Sequence, residues 1–200
     1  MDQAGTWRDY GPAELPRVLE SALGAFAAKG YHATTIRDIA AGADLSVPGV
    51  YHHWKSKQDI LVAVMVQVMA ELLARSRAAL EDADDDPDSQ LDALVESLLR
   101  FHMFRRSQAF VATSEIRSLE PENLQSYVAL RDEQQDMLAV VIDRGRATGV
   151  FSTPFAHDAA RAVATLCVGV ASWYRDDGPL TPEEVVERHL RFARALVGAR

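Results

Sequence analysis

Between Thr34 and Lys57 the chain, TTIRDIAAGADLSVPGVYHHWKSK, collects side chains suited to donating hydrogen bonds to an anionic surface with patterned edges. They are the hydroxyls of Thr34, Thr35, Ser46 and Tyr51, the imidazoles of His52 and His53, and the ammonium groups of Lys55 and Lys57. Bond-making chemistry has no comparable foothold. His52 and His53 are adjacent, so they cannot face one metal from one side of a helix as an i, i+4 pair could. No Gly-x-Ser-x-Gly elbow, phosphate-binding glycine loop or His-Glu-x-x-His occurs. No metal, cofactor or catalytic activity is therefore expected. Donation to phosphates and base edges remains.

Two short helices joined by a tight turn must present these groups. In the first, Thr35 can cap the N-terminus, and Ile36, Ile39, Ala40 and Ala43 recur at helical spacing to mark one buried face. That helix ends near Ala43. Asp44 then occupies a turn position that needs positive φ, which Asp tolerates better than a β-branched residue. Ser46 caps the second helix, with Pro48 in the first turn, where its missing N–H costs least. The spacing buries Val47, Val50, the ring of Tyr51 and Trp54, and turns Gly49, His52, His53 and Lys55 outward. Without a side chain at Gly49, that face can come close to another surface. This is the arrangement by which a helix-turn-helix enters a major groove. Thr35, Ser46, Tyr51, His52 and Lys57 are expected to hold phosphates, with Val47, Gly49 and His53 nearest the base edges. Lys57 is a cation in the first turn of the next helix, a mildly unfavourable place unless a phosphate lies there too.

The chain has 200 residues, and acidic residues exceed basic ones to give a formal charge of −8. This argues against nonspecific coating of nucleic acid, so contacts must be few and placed. Residues 1–60 hold six Lys/Arg and seven Asp/Glu, so the negative surplus falls on the rest. Cys167 is the single cysteine, in an apolar run, and reads as a buried structural residue. No intrachain disulfide can form. No secretory signal or membrane-spanning run is visible, so a cytoplasmic protein without membrane contact is expected.

Periodicity gives an all-α chain of about nine helices with no strand pattern. The expected domains are 1–55, an N-terminal arm with a three-helix helix-turn-helix unit; 56–80, a connecting helix; and 81–200, a larger ligand-binding and dimerisation domain. Residues 1–11 read as a disordered, mobile arm; Trp7 and Arg8 could instead touch a minor groove. From Pro12 an amphipathic helix runs to Gly30. Glu81 to Ser89, EDADDDPDS, cannot be buried and reads as an exposed acidic turn; its spacing does not fit a calcium loop. Helices follow over 90–106, 108–119, 122–148 with Gly149 as C-cap, 155–175 and 181–199. The last two carry more than one apolar stripe: Val186, Leu190, Ala193 and Val197 beside Val185, Phe192 and Leu196, and Val163, Cys167, Val170 and Tyr174 beside Leu166, Gly169 and Trp173. One stripe packs on the core, and the second points to a homodimer.

The spaced set Thr35, Ile39, Ala40, Ala43, Ser46, Tyr51, Trp54 and Lys57 resembles the DNA-binding region of the TetR family of bacterial transcriptional regulators. The family usually has Gly at the place of Asp44 and Phe at that of Trp54. The stretch around Tyr127, Arg131, Asp132 and Gln135, then Gly145, Gly149 and Phe151, with WYRDDGPLTPEEV from Trp173, is similar to actinobacterial members that govern fatty-acid or steroid catabolism and respond to acyl-CoA thioesters. The resemblance implies a repressor on double-stranded operator DNA, released by a small apolar effector, an acyl-CoA thioester in that subgroup. Phe101, Met103, Phe104, Phe110 and Tyr127, with Trp173, would then line an apolar slot, with Arg105, Arg106, Arg131 and Arg175 as cations for phosphates. Each also has a plainer reading as a core or solvated residue. The other reading of the whole chain is an all-helical, dimeric protein-interaction module without specific DNA binding.

Overall fold

The computed structural model describes residues 7–199, which form nine α-helices and one 3-10 turn and no strand. In chain order the helices are α1 (Arg17–Ala33), α2 (Ile36–Gly42), α3 (Val47–His53), α4 (Lys57–Asp82), α5 (Pro87–Phe104), α6 (Arg106–Ser114), α7 (Pro121–Ala147), α8 (Ala156–Trp173) and α9 (Pro182–Val197), with the 3-10 turn at Glu115–Ser118. The periodicities thus locate every helix. No helix among the described residues is long and apolar enough to cross a membrane. The helices assemble into two compact units whose division falls inside α4 and α7: Pro12–Ala70 with Ser107–Leu130, and the N-terminal arm with Glu71–Arg106 and Arg131–Arg200.

In the first of these units α1 packs on α2 and on the 3-10 turn, and α2 packs on α3. Its core joins Leu19, Ala22 and Phe26 of α1 to Ile39 and Ala40 of α2, Val50 of α3, and Ile60, Leu61 and Val64 of α4. Gly30 does break the regular part of α1, with φ 78°, before one further turn ends the helix at Ala33.

In the other unit α5 lies against α8 and α9, which also pack on each other. Leu91, Leu94, Leu98 and Phe101 of α5 meet a core that includes Val163, Cys167 and Val170 of α8 and Val185, Ala193 and Val197 of α9. Burial pushes the Cys167 thiol up to about 12. The acidic turn is shorter than its composition implies. Asp86 caps α5 by accepting from the Ser89 N–H at 2.9 Å, so the helix begins at Pro87. Arg144 of α7 holds the turn through the Asp85 carbonyl at 2.6 Å and the Gln90 side chain at 3.1 Å. Gly145 also has a packing reason: a Cβ there would lie 2.1 Å from the Phe151 ring, which the chain folds back onto α7.

From Trp7 onward the N-terminal arm is not a loose end; residues 1–6 of the expected mobile arm lie outside the described residues. Trp7 is buried and packs on Ala79 and Ala93, with its indole N–H donating to Asp82 at 3.1 Å. Arg8 forms two bonds to Glu96, at 3.0 and 3.1 Å, so neither residue reads as a groove probe in this state. Sequence periodicity sees no partner for a short arm, because its partners lie some 70 to 90 positions away.

His102 of α5 is buried, its Nδ1 2.7 Å from the Leu98 carbonyl, and burial lowers its pKa from 6.5 to about 4. As pH falls through this interval the unfolded chain takes up the proton first, so stability present above pH 6.5 is lost toward pH 4. Urea unfolding should show a loss of about 3 kcal/mol from this group over the window. His102→Leu should flatten that slope; an unchanged slope would refute the assignment.

Candidate nucleic-acid interface

The sequence builds this site by closing each helix end with a named group. Thr35 and Asp38 form a reciprocal cap on α2: the Thr35 hydroxyl accepts from the Asp38 N–H at 3.2 Å, and the Asp38 carboxylate accepts from the Thr35 N–H at 2.7 Å. Lys29, 2.9 Å away, and the Thr35 N–H hold that carboxyl well below the usual carboxylate range. At the other end Asp44 has φ 54°, the Leu45 N–H reaches the Ala40 carbonyl at 2.9 Å and the Asp44 N–H reaches Ala41 at 3.3 Å. This is a complete left-handed helix stop with Asp where Gly is usual. Ser46 then caps α3, accepting from the Gly49 N–H at 3.1 Å.

Close packing sets how α2 lies on α1. A Cβ on Gly42 would fall 2.3 Å from Ser21 Oγ, the hydroxyl that donates to the Ile39 carbonyl at 2.8 Å. Only glycine leaves room for that bond.

On α3, Val50 alone is fully buried, and Val47 and Trp54 are half-buried. Tyr51 departs from expectation: it is 51% exposed, because it falls beside the outward stripe of this short helix and not over the core. His52, His53 and Lys55 are exposed as expected, with the two imidazoles edge to face at 4.9 Å. Ser46 uses only its acceptor in the cap, which leaves its O–H free to donate outward. Two carboxylates beside the site are neutralised, Asp44 by Arg17 at 2.6 Å and Asp38 by Lys29.

Two expected contacts are turned inward. Thr34 is 1% exposed, and its hydroxyl donates to the Gly30 carbonyl at 2.7 Å, so it serves the end of α1. The Lys57 ammonium donates to the Tyr31 and Thr34 carbonyls, both at 2.7 Å, and lies 4.2 Å over the Tyr31 ring. Loss of hydration lowers its pKa. The cation at a helix start is thus answered by carbonyls at the end of α1, which relieves the placement without a phosphate. Arg37, exposed in the first turn of α2, is a further candidate that sequence reading passed over. The same signal, a cation at a helix N-terminus, would have found it.

The expected effector residues have different settings. Phe101 is a core residue of α5, and Arg105 is buried with its Nε 3.1 Å from both Glu71 oxygens, already neutralised. Phe104 lies 5.0 Å from the Tyr10 ring, and Trp173 stacks on His189 at 5.9 Å. Phe110, Arg131 and Arg175 are exposed. Tyr127 lines a cleft of about 20 Å³ with Val62, Met65, Leu119 and Asn123. Ligand pockets usually hold about 300 Å³ or more.

Lys57→Met should remove both carbonyl bonds and lower thermal stability by about 2 kcal/mol. Asp44→Gly should raise it by up to about 1 kcal/mol, because relief of the left-handed conformation exceeds the loss of an exposed ion pair. Melting curves of the two variants check both signs.

Comparison with known proteins places these features. Residues 18–64 match the model of bacterial regulatory proteins of the tetR family, and residues 84–197 match a tetracyclin repressor-like C-terminal domain. The HTH-type transcriptional repressor KstR2 of Mycobacterium tuberculosis is 30% identical over 175 residues, 86% of this chain and 87% of the relative. The solved structure of that ketosteroid regulator superposes with a TM-score of 0.81 at 25% identity, over 95% of this chain and 98% of the other. A tetR-family regulatory protein from Rhodococcus RHA1 gives 0.86 at 31% identity, over 92% and 96%. AibR, solved with isovaleryl coenzyme A and operator DNA, gives 0.81 over 92% and 97%; at 20% identity that likeness is one of fold.

Proposed function

The chain belongs to the TetR family of bacterial regulatory proteins, and on that premise we propose that it is a cytoplasmic, homodimeric repressor that a small effector releases from operator DNA. It is a regulator and not an enzyme. The observation that carries the DNA reading is α3: a capped helix whose free face holds Gly49, Tyr51, His52 and His53, followed by Lys55, beside carboxylates that are already paired. Ser46, Tyr51, His52 and Lys55 would donate to phosphates, joined by Arg37, while Val47, Gly49 and His53 would lie nearest the base edges. Thr35 would position α2, its hydroxyl committed to the cap on both sides.

The dimer reading rests on the free stripe of α8 and α9. Trp173, Phe192 and Leu196 are 47%, 56% and 43% exposed, while Val185, Val186, Ala193 and Val197 face the core. Val185 belongs to the buried stripe and not, as its spacing suggested, to the free one. Exposed large side chains at this density favour a partner surface. A two-fold pair would present two copies of α3 to successive turns of DNA.

An acyl-CoA thioester is the effector class we favour, on the subgroup resemblance and on what AibR holds in its complex. The cleft of about 20 Å³ beside Tyr127 does not admit such a ligand, so a ligand seated there would have to select a wider conformation of the lining helices. A ligand that prefers this conformation over the DNA-bound one would weaken operator binding by that difference and no more.

Titration with DNA from upstream of the gene, at two salt concentrations, should give an affinity whose logarithm falls linearly with the logarithm of salt. Release by one member of an acyl-CoA panel that includes isovaleryl-CoA would support the effector class. Undisturbed DNA binding would discard it, and no specific binding would favour the interaction module. In sedimentation, Phe192→Glu with Leu196→Glu should turn a dimer into a monomer and reduce operator affinity at least tenfold. A dimer that survives both changes would overturn the assigned face.

A further inference from the structure

Residues 7–11 are held along their length by α4 and α5. Arg75 donates to the Trp7 carbonyl at 2.9 Å and to the Asp9 carbonyl at 3.0 Å, and Arg105 donates to the Gly11 carbonyl at 3.0 Å. One carboxylate, Glu71, orients both guanidinium groups, at 3.0 Å from Arg75 and 3.1 Å from Arg105. The side chains of the arm are engaged as well. The Trp7 N–H and Arg8 meet Asp82, Arg8 also meets Glu96, and the Tyr10 ring has the Arg75 guanidinium 3.7 Å from its centre and Phe104 on another side.

Two details separate this arrangement from a frayed end that happens to settle on a surface. Three alternate carbonyls are held by two side chains that a third residue has already oriented, which is preorganisation and not chance contact. The strap also stops where the other unit starts, because Gly11 is bound and Pro12 begins the chain that leads into α1. One element works against it. The Tyr10 hydroxyl is buried with no hydrogen-bond partner among the described residues, and burial raises its pKa. An unpaired buried hydroxyl weakens the state that buries it.

We infer that residues 7–11 form a releasable clasp that restrains the chain entering α1, so that the order of α4 and α5 around Glu71, Arg75 and Arg105 is felt at the start of the operator-binding unit. Residues of the proposed sensing portion thereby hold the lead-in to the helix that braces α2. The Tyr10 hydroxyl keeps the clasp weak enough to open. The role in operator binding rests on the DNA reading given above; the restraint on α1 does not.

Two full-length variants push the clasp in opposite directions. Trp7→Ala with Arg8→Ala removes the indole anchor and the ion pairs, and Tyr10→Phe removes the unpaired hydroxyl but keeps the ring contacts. Amide hydrogen exchange over residues 13–20 should be at least fivefold faster than wild type in the double variant and about threefold slower in Tyr10→Phe. Chymotryptic cleavage after Tyr10 reports release of the arm in the double variant and in wild type. Operator affinity should follow the reverse order, with a loss of about fivefold in the double variant. If cleavage shows the arm released while exchange over 13–20 matches wild type, the clasp is overturned; faster exchange in Tyr10→Phe would overturn it too. Should wild type bind no operator while the exchange order holds, the clasp stands and the DNA reading fails. Normal operator binding without the exchange order would leave the DNA reading standing and discard the clasp.

Discussion

The ammonium of Lys57, held by the carbonyls of Tyr31 and Thr34, is the interaction on which the outward face depends. Those carbonyls end α1 and lead directly into the capped start of α2, so one side chain at the start of α4 fixes the chain on both sides of the helix-turn-helix. Charged hydrogen bonds of this kind contribute roughly 1.5 to 3 kcal/mol, more than a cap alone. The cation lies over the Tyr31 ring, and the loss of hydration that lowers its pKa is what those two carbonyls and the ring must offset. With this corner closed, α2 and α3 need only their caps and one glycine contact to lie in register. Apart from Ser46, whose hydroxyl also caps α3, the groups left facing outward are those that no helix end requires.

Charge is managed in the same local way. A chain with a formal charge of −8 can approach a phosphate backbone only where its own carboxylates are silenced. Beside α3 this is done by Arg17 on Asp44 and Lys29 on Asp38, both drawn from α1. Exposed pairs of this sort add little to stability. Their effect on the local potential is a separate matter, since each removes a unit of negative charge from the approach path. The acidic surplus is concentrated instead in the turn after α4, where Arg144 and the α5 cap absorb part of it.

Much of this was legible because it is local. Thr35 and Ser46 each sit within three residues of the N–H they accept from, and Asp44 adopts the positive φ that its place after Ala43 required. Residues whose partners are remote were misread. Lys57 is answered from residues 23 and 26 positions earlier, and the Trp7 side chain from a position 75 later. Periodicity carries no information about such pairs, and a hydroxyl or a cation reads as solvent-facing until its acceptor is known. Tyr51 failed for another reason: a helix of seven residues has barely two turns, so one position of error in its axis moves a ring from core to surface. The effector set was the least legible, because Phe and Met at helical spacing fill a core as readily as they line a pocket, and Arg105 had the half-buried carboxylate of Glu71 waiting for it.

Cys167, the single thiol of the chain, lies fully buried where α8 packs into its unit, in a setting that disfavours the thiolate. A small thiol-reactive probe can reach it only while α8 is displaced from its neighbours, which also returns the thiol to its ordinary acidity. The molecule therefore carries a built-in clock at the helix beneath the proposed partner surface. Displacement of α8 can be timed at one defined atom without adding a label elsewhere, and any ligand or DNA that stiffens the packing of α8 registers as a slower tick.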